Sequence, residues 1–240
     1  MKILVSWSSG KDSAWMLHVL RTEGTGSAAA LLTSINETVD RVAMHGVRSE
    51  VLRAQAAAVG LPLITVPLPS PCPNEVYEAR MAAIIRTAVA DGFTHVAFGD
   101  LFLEDVRRYR EERLAGSGLT PIFPLWNRPT GELARDMLAG GVEAILTCVD
   151  PRILPARFAG RRYDAQLLDE LPSDIDPCGE RGEFHSCVIA GPMFTHRIDV
   201  HLGEIVERKG FVFADVLLPG ADGLERACPR PVPDFTPRTR

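Results

Sequence analysis

The sequence predicts an α/β fold in which a mainly parallel β-sheet is covered by helices. Short apolar runs alternate with amphipathic helical segments through the first half of the chain, and the connections between them are brief. Parallel strands require such helical crossovers, whereas antiparallel strands are usually joined by tight turns. Polar residues follow several of the apolar runs, and ligands in open parallel sheets bind beyond the carboxyl ends of the strands. We therefore expect a binding site at that edge.

The predicted elements of the first half alternate strictly between strand and helix. Each strand is a run of apolar residues, and the helices repeat apolar residues every three or four positions, except the last one, which is rich in arginine and glutamate. In chain order they are a strand Ile3–Ser6, a helix Asp12–Glu23, a strand Ala28–Thr33, a helix Val47–Val59, a strand Leu63–Val66, a helix from Asn74 to about Ala90, a strand Thr94–Phe98 and a helix Leu103–Ala115.

The second half is less regular. The proline-rich segment Pro121–Pro129 is typical of a connector, and residues 150–185 are rich in proline, glycine and charge. The predicted elements here are a helix Thr130–Ala139, a strand Ala144–Val149, a short helix near Ala165–Leu171, and strands Cys187–Ala190 and Arg197–Val206. We predict a first domain over residues 1–122, a smaller domain over residues 123–215 and a proline-rich tail over residues 216–240.

Composition restricts the function. The chain has 240 residues and a net charge of −5, and it contains no run of about 18 apolar residues, so we expect no membrane-spanning helix. It starts with a strand and lacks the profile of a signal peptide, which favours a cytoplasmic location. The negative net charge argues weakly against strong binding of nucleic acid. The cysteines are widely spaced without a Cys-x-x-Cys pair, so we expect free thiols rather than a zinc ribbon.

A turn rich in serine and glycine follows the first strand and leads directly into the first helix. Free backbone N–H groups and the positive end of the helix dipole attract an anion there, and a glycine lets a phosphate approach closely. The segment, which we call the phosphate loop, is Ser6-Trp7-Ser8-Ser9-Gly10-Lys11-Asp12-Ser13. A Walker A loop needs a second glycine where Val5 stands, so we predict a phosphate loop of another class.

Further polar residues follow other predicted strands. Thr33 ends the second strand, and Gly99-Asp100 follow the strand Thr94–Phe98. We expect these residues to gather with the phosphate loop, with Asp100 as a ligand of a metal or water, or only as a turn residue. Asp12 at the helix start would either bind a metal or cap the helix.

A second motif precedes the last buried strands. Two glutamates three residues apart each follow a glycine, in the segment Gly179-Glu180-Arg181-Gly182-Glu183-Phe184-His185-Ser186. Glycine permits tight turns that present acidic groups at their edges. From its spacing alone, this segment could be either a catalytic turn or an acidic surface turn.

Together the two motifs resemble those of the diphthine–ammonia ligase family, which belongs to the N-type ATP pyrophosphatases (PP-loop proteins) of the adenine nucleotide alpha hydrolase-like superfamily. The likeness covers about residues 1–205. Besides the phosphate loop it rests on matches in the same order, namely Gly99-Asp100, an Arg-x-Arg-x-Glu run (Arg108, Arg110, Glu112), Pro124-Leu125-Trp126 and the Gly-Glu-x-Gly-Glu-Phe segment from Gly179. Ser9 replaces a usual glycine, and His185 and Ser186 stand where the family tends to have Glu and Thr.

The resemblance implies a Rossmann-like (HUP-type) parallel sheet domain with a smaller α+β C-terminal domain. It also implies an ATP-dependent amide ligase that uses Mg²⁺: a carboxylate is activated as an acyl-adenylate with release of pyrophosphate, and ammonia or another amine displaces AMP. The carboxylate could lie on a protein such as elongation factor 2, although the departures from the family pattern leave another carboxylic acid open. A homodimer would suit such a fold, but no exposed apolar stripe in the sequence argues for one.

The resemblance further implies roles for individual residues. The expected catalytic residues are Lys11, Asp100, Glu180, Glu183 and His185, the last three as binders of ammonium or acceptors of its proton. The nucleotide would contact Ser6, Ser8, Ser9, Gly10, Lys11, Asp12, Ser13, Thr33, His45, Arg48 and Gly99. Substrate contacts are expected at Arg108, Arg110, Trp126 and Gly182, and Mg²⁺ at Asp12 and Asp100. Because the two arginines lie two positions apart on a helix, one would face the site while the other pairs with a nearby glutamate or is solvated.

Two other functions stay open at this point. A tRNA-modifying or sulfur-transferring enzyme of the same superfamily would need a cysteine near the ATP site, and the candidates are Cys148 and Cys178. A non-catalytic sensor would bind adenine nucleotides without releasing pyrophosphate. The three functions therefore differ in their products and in their dependence on a thiol.

Overall fold

Two β-sheets with flanking helices form the molecule. The computed structural model describes residues 1–220, so most of the predicted tail over residues 216–240 lies outside the described residues. Sheet A uses strands between residues 2 and 122, and sheet B uses strands between residues 143 and 217. The predicted fold class is confirmed, because the first sheet is mostly parallel and the second is smaller and antiparallel.

Sheet A places the first strand near its centre. Its strands are β1 (Lys2–Ser6), β2 (Ser27–Asn36), β3 (Arg41–Val42), β4 (Leu63–Leu68), β5 (His95–Ala97) and β6 (Thr120–Ile122). β1 lies between β2 and β5; β4 also pairs with β2, β6 pairs with β5, and the short β3 runs antiparallel to the end of β2. The chain that leaves the carboxyl end of β1 therefore starts in the middle of the sheet.

Helices cover both faces of sheet A. The described helices are α1 (Lys11–Glu23), α2 (Ser49–Val59), α3 (Asn74–Ala90), α4 (Glu104–Leu114), α5 (Thr130–Ala139) and α6 (Ala165–Glu170), and a 3-10 turn spans Ala156–Phe158. Leu4 packs in one apolar cluster with residues of α3, whereas Ile3 and Val5 pack in a larger cluster with α1 and α2. Burial on both faces explains the continuous apolar run of β1. No helix within residues 1–220 combines the length and apolarity needed to cross a membrane.

Sheet B shares the larger core with sheet A. Its strands are β7 (Glu143–Val149), β8 (Phe184–Ala190), β9 (His201–Arg208) and β10 (Phe211–Leu217), in the order β8-β7-β10-β9. Apolar residues of β7, β8 and β10 belong to the same buried cluster as those of α1 and α2. β8 also reaches the phosphate loop, because the N–H of Val188 donates to the Ser9 carbonyl at 2.9 Å.

The strands β3, β6 and β10 lie outside the predicted elements. β3 has 2 residues and β6 has 3, which is too short to show a period, and β6 overlaps the predicted connector. β10 extends to Leu217 and so enters the predicted tail, while β9 begins at His201 rather than Arg197. β9 is an edge strand whose residues are all at least partly exposed, and its apolar pattern is correspondingly weak.

An ionic bridge joins the two sheets. The Asp215 carboxylate on β10 accepts hydrogen bonds of 2.7–3.1 Å from the guanidinium groups of Arg41 and Arg48, which flank the segment between β3 and α2. Burial alone would raise the pKa of Asp215, but the hydrogen bonds from the two arginines outweigh it and hold this pKa at about 2. The bridge therefore fixes the segment that carries His45.

Asp215→Asn should lower the free energy of unfolding by about 1–3 kcal/mol at neutral pH, because two half-buried guanidinium groups lose their shared anion. The lowered pKa sets the sign of the pH dependence: the stabilisation is present above the ordinary carboxyl pKa of 3.8 and is lost as the pH falls through about 2. Denaturant unfolding of both proteins from pH 7 downward measures the difference. A difference that stays constant down to about pH 2 would contradict the ionic origin of the effect.

Candidate active site

The phosphate loop runs from the end of β1 into the first turn of α1. Its own hydroxyls shape it: the Ser8 Oγ accepts the Gly10 N–H at 3.3 Å, and the Ser13 Oγ donates to the Gly10 carbonyl at 3.0 Å. The N–H groups of Ser9 and Ser13 make no hydrogen bond with any residue in the described part of the chain. Unpaired donors at the start of a helix form an anion site, since the helix dipole adds partial positive charge.

Ser9 adopts an unfavourable backbone conformation. Its φ is +70°, in the left-handed region that glycine reaches at lower cost. The residue is fully buried, and its Oγ has no hydrogen-bond partner among residues 1–220. Its carbonyl accepts hydrogen bonds from the Val188 N–H at 2.9 Å and from the Gln55 Nε2 at 3.1 Å. These two hydrogen bonds hold Ser9 at a positive φ, which is unfavourable for a serine without such support.

Two glycines allow close approach to the phosphate loop. A Cβ added at Gly10 would lie 2.8 Å from the Cε1 of His45, and one added at Gly99 would lie 3.1 Å from the backbone at the start of α1. Gly99 thus brings the carboxyl end of β5 against the loop. From β2, the Oγ1 of Thr33 donates to the Trp7 carbonyl at 2.7 Å. The carboxyl ends of β1, β2 and β5 therefore meet at one edge of sheet A.

Lys11 is enclosed beside the loop. The residue is 1% exposed, and its Nζ donates to the Asp12 carboxylate at 2.9 Å and to the Cys178 carbonyl. The ring centroids of Tyr163 and Phe184 lie 5.2 and 5.3 Å from Nζ, within cation–π range. Burial lowers the pKa of Lys11, but the Asp12 carboxylate together with Cys178 and Asp176 outweighs burial, so this pKa is raised and the amine stays protonated.

Asp100 follows β5 and pairs with an arginine of α4. Its carboxylate accepts two hydrogen bonds from Arg110, at 2.5 and 3.0 Å. The Arg108 side chain is exposed and makes no hydrogen bond or ion pair with residues 1–220. Arg107 instead packs over Trp126, with its guanidinium carbon 4.7 Å from the ring centroid. Of the two predicted arginines, Arg110 thus faces this edge, and its partner is Asp100 rather than a glutamate of its own helix.

Glu180 reaches the same edge from the turn before β8. One of its carboxylate oxygens accepts the Leu101 N–H at 2.8 Å. Burial, with smaller contributions from the carboxylates of Asp12 and Asp100, raises the pKa of Glu180 to about 7. The group can therefore take up or release a proton near neutral pH, as a general base must.

Glu183 is tied into the turn itself. The residue is 2% exposed, and its oxygens accept the N–H groups of Asp176 at 3.2 Å and Arg181 at 2.9 Å. Gly182 has a φ of +87° in this turn, a conformation that glycine adopts without strain. The observed hydrogen bonds of the Glu183 side chain thus stay within the turn, in contrast to those of Glu180.

Two histidine rings pack against each other at a tilted angle beside the loop. The ring centroids of His45 and His185 are 4.7 Å apart, and the Nδ1 of His45 donates to the Ser186 carbonyl at 3.1 Å. Burial lowers the pKa of His45 to about 4 and that of His185 to about 3, so both rings are neutral at pH 7. Such a ring is a weak proton acceptor, and Glu180 suits that role better. The Ser186 Oγ also accepts the Lys11 N–H, at 3.2 Å.

Most of the predicted site residues meet at this edge. The residues gathered around the phosphate loop are Ser8, Ser9, Gly10, Lys11, Asp12, Ser13, Thr33, His45, Gly99, Asp100, Arg110, Glu180 and His185. Six make their contacts elsewhere. Ser6 pairs with β2, Arg48 binds Asp215, and Trp126 packs on Phe123. Arg108 is exposed, and Gly182 and Glu183 shape the turn before β8.

Three residues that support the phosphate loop or Lys11 are not among the predicted site residues. Gln55, Tyr163 and Ser186 contact the phosphate loop or the Lys11 ammonium. Ser186 stands within the quoted second motif, where its hydroxyl could have been noted. Gln55 and Tyr163 occupy ordinary buried positions, and no local pattern distinguishes them from core residues.

Comparisons with known proteins agree with this architecture. Residues 1–120 match the family model for the diphthamide synthase N-terminal domain, and residues 130–216 match that for the diphthamide synthase C-terminal domain. The chain is 23% identical to diphthine–ammonia ligase of Bos taurus and of Homo sapiens, each over 90% of this chain and 89% of the relative. It is 24% identical to diphthine–ammonia ligase of Schizosaccharomyces pombe over 86% of this chain, but spans 37% of that longer relative.

The two family matches follow each other in the order of the two sheets. The N-terminal match alone covers 120 of the 240 residues, which is half of the chain. The resemblance drawn from the two motifs is thereby confirmed, since the matched ranges contain both the phosphate loop and the turn with Glu180. The chain belongs to the diphthamide synthase family and is an enzyme of the ligase class.

Proposed function

We propose that the protein is an ATP-dependent ligase that converts a carboxylate to an amide. The carboxylate attacks the α-phosphorus of ATP, which forms an acyl-adenylate and releases pyrophosphate. A neutral amine, such as ammonia, then attacks the acyl carbon and displaces AMP, and the nitrogen loses one proton. The observation that carries this proposal is the meeting of the phosphate loop with Glu180, whose pKa of about 7 suits proton transfer from an amine.

The phosphate loop would hold the leaving pyrophosphate. The unpaired N–H groups of Ser9 and Ser13, with the hydroxyls of the loop, are donors for phosphate oxygens. Lys11 would offset the negative charge that grows on the pyrophosphate as its bond to the α-phosphorus breaks. Because Lys11 is buried, its charge is screened less than a surface charge would be.

Glu180 would act in the second half of the reaction. Ammonium carries no lone pair, so it must lose a proton before it can attack the acyl carbon. The Glu180 carboxylate, held by the Leu101 N–H near Asp12 and Asp100, can bind the ammonium and accept that proton.

Asp12 and Asp100 are the proposed ligands of Mg²⁺. This ion is usually held by one or two carboxylates together with phosphate oxygens, and two carboxylates beside a phosphate loop fit that donor set. Within residues 1–220, no cluster of three or more His, Cys, Asp or Glu side chains could hold a metal alone. Lys11 and Arg110 pair with the two aspartates and keep their carboxylates in place. The ion would supply further positive charge beside the phosphates.

The candidate thiols do not favour sulfur transfer. Burial raises the pKa of both Cys148 and Cys178 to about 12, so both thiols stay protonated at neutral pH. The thiolate is the reactive form in such chemistry. The Cys178 Sγ lies 3.5 Å from the Thr130 carbonyl, as expected for a thiol that donates a weak hydrogen bond.

Product analysis tests the proposal. The protein is incubated with ATP, Mg²⁺ and ammonium, with elongation factor 2 carrying diphthine in one arm and small carboxylic acids in another. We expect equal amounts of AMP and pyrophosphate, together with an amide, in one of these arms. Release of orthophosphate alone, or ATP binding without turnover in every arm, would contradict the proposal and favour a nucleotide sensor.

A further inference from the structure

The structure assigns to Gln55 the role of positioning the phosphate loop for its phosphate ligand. Gln55 lies on α2, is 0% exposed and belongs to neither motif. The assignment rests on the proposed function in one respect, since that function identifies the ligand as a phosphate chain. The contacts that carry the assignment exist without any ligand.

Three hydrogen bonds of 3.1 Å or less use both ends of the Gln55 amide. Its Oε1 accepts the indole N–H of Trp7 at 3.0 Å, and its Nε2 donates to the carbonyls of Ser9 at 3.1 Å and Val188 at 2.7 Å. An indole N–H can only donate and a carbonyl can only accept, so the partners fix which way the amide points. Gln55 therefore ties together the end of β1, the phosphate loop and β8.

This arrangement fixes the peptide between Ser9 and Gly10, and with it the path of the loop. The Ser9 carbonyl and the Gly10 N–H belong to one planar trans peptide and point in opposite directions. Because this carbonyl points toward Gln55 and the Val188 N–H, the Gly10 N–H points away from them, and there the Ser8 Oγ accepts it at 3.3 Å. The positive φ of Ser9 makes this orientation unfavourable by itself, so the loop depends on the bonds to its carbonyl.

Other side chains could not replace this amide. Methionine has nearly the same length but would leave the indole N–H of Trp7 and the carbonyl of Val188 without these partners. Glutamate would keep an acceptor for Trp7 but would place an oxygen against two carbonyl oxygens. Buried polar groups without partners are costly, so both changes should release the loop.

The test compares Gln55→Met with Val51→Ala, a control one turn earlier on α2 that is also 0% exposed and makes no hydrogen bond to the loop. Hydrogen exchange at the amides of Lys11 and Ala14, measured without nucleotide, reports loop order directly. ATP affinity is measured by calorimetry at a temperature where all variants are folded. For Gln55→Met we expect faster exchange and about tenfold weaker ATP binding, equivalent to about 1.4 kcal/mol. Val51→Ala should leave both properties near those of the wild type, even if its melting temperature falls.

The outcomes separate this inference from the proposed function. If hydrogen exchange at the amides of Lys11 and Ala14 is the same in Gln55→Met as in the wild type, the positioning role is overturned, whether or not the wild type binds ATP. Faster exchange with unchanged ATP affinity also overturns it. A wild type that ignores ATP, combined with faster exchange in the variant, supports the loop contact and contradicts the proposed ligand. If Gln55→Met does not fold, Gln55→Glu takes its place with the same expectations.

Discussion

Lys11→Ala is expected to lower the rate of pyrophosphate formation by about 100- to 1,000-fold, the usual effect of removing one group that stabilises developing charge in an enclosed site. The Lys11 ammonium is fixed against Asp12 and Cys178 before any ligand binds, so little reorganisation is needed when charge develops. Loss of the amine also leaves the Asp12 carboxylate without its partner. Single-turnover measurement of pyrophosphate release checks the prediction.

Two further variants separate chemistry from folding. Lys11→Met keeps an apolar chain between the rings of Tyr163 and Phe184, so it should lose turnover while retaining more stability than Lys11→Ala. Lys2→Ala is the matched surface control, because Lys2 is exposed and its Nζ donates to the Asp91 carbonyl. Full turnover in folded Lys11→Met would remove Lys11 from the proposed mechanism.

Glu180→Gln should leave pyrophosphate formation nearly intact and lower amide formation by about 100- to 10,000-fold, the range expected for loss of a general base. The glutamine can keep the acceptor for the Leu101 N–H, so the turn should persist. Rapid-quench measurement of AMP, pyrophosphate and amide separates the two steps. Equal loss of both products would contradict a role confined to the amine.

The pH dependence of amide formation is a second test of the role of Glu180 as a general base. The base must be ionised, so the wild-type rate should rise with pH up to about 7, where the carboxyl of Glu180 loses its proton. The concentration of free ammonia also increases with pH. It does so equally for both proteins, so the ratio of the wild-type rate to the Glu180→Gln rate removes this contribution. Glu183→Gln serves as the comparison: it should weaken the turn but preserve this profile. If Glu183→Gln lost this pH dependence and Glu180→Gln kept it, Glu183 rather than Glu180 would be the general base.

The local parts of the site could be predicted from the sequence because neighbouring residues specify them. The apolar run of β1, the turn around Gly10 and the amphipathic α1 follow one another within the first 23 residues. The helix predicted from Asn74 to about Ala90 has those bounds in the structure, since its length makes the repeat unmistakable.

The long-range contacts could not be predicted in this way. Glu180 binds the N–H of Leu101, 79 positions earlier, and Asp215 binds arginines more than 160 positions away. Periodicity reports that a residue such as Gln55 is buried, but it does not identify the residue that meets it. The resemblance to a family supplied the pairing of the two motifs, and the structure supplied the partners of each side chain.

The hydrogen bond between the Val188 N–H and the Ser9 carbonyl joins main chain to main chain. Such a bond places no demand on the side chains of the strand, so neighbouring positions are free to diverge while the loop keeps its support. His185 is one such position, whereas the Ser186 hydroxyl accepts the Lys11 N–H and is part of the support of the loop. The side chain at such a position can therefore change while the main-chain support of the phosphate loop is kept.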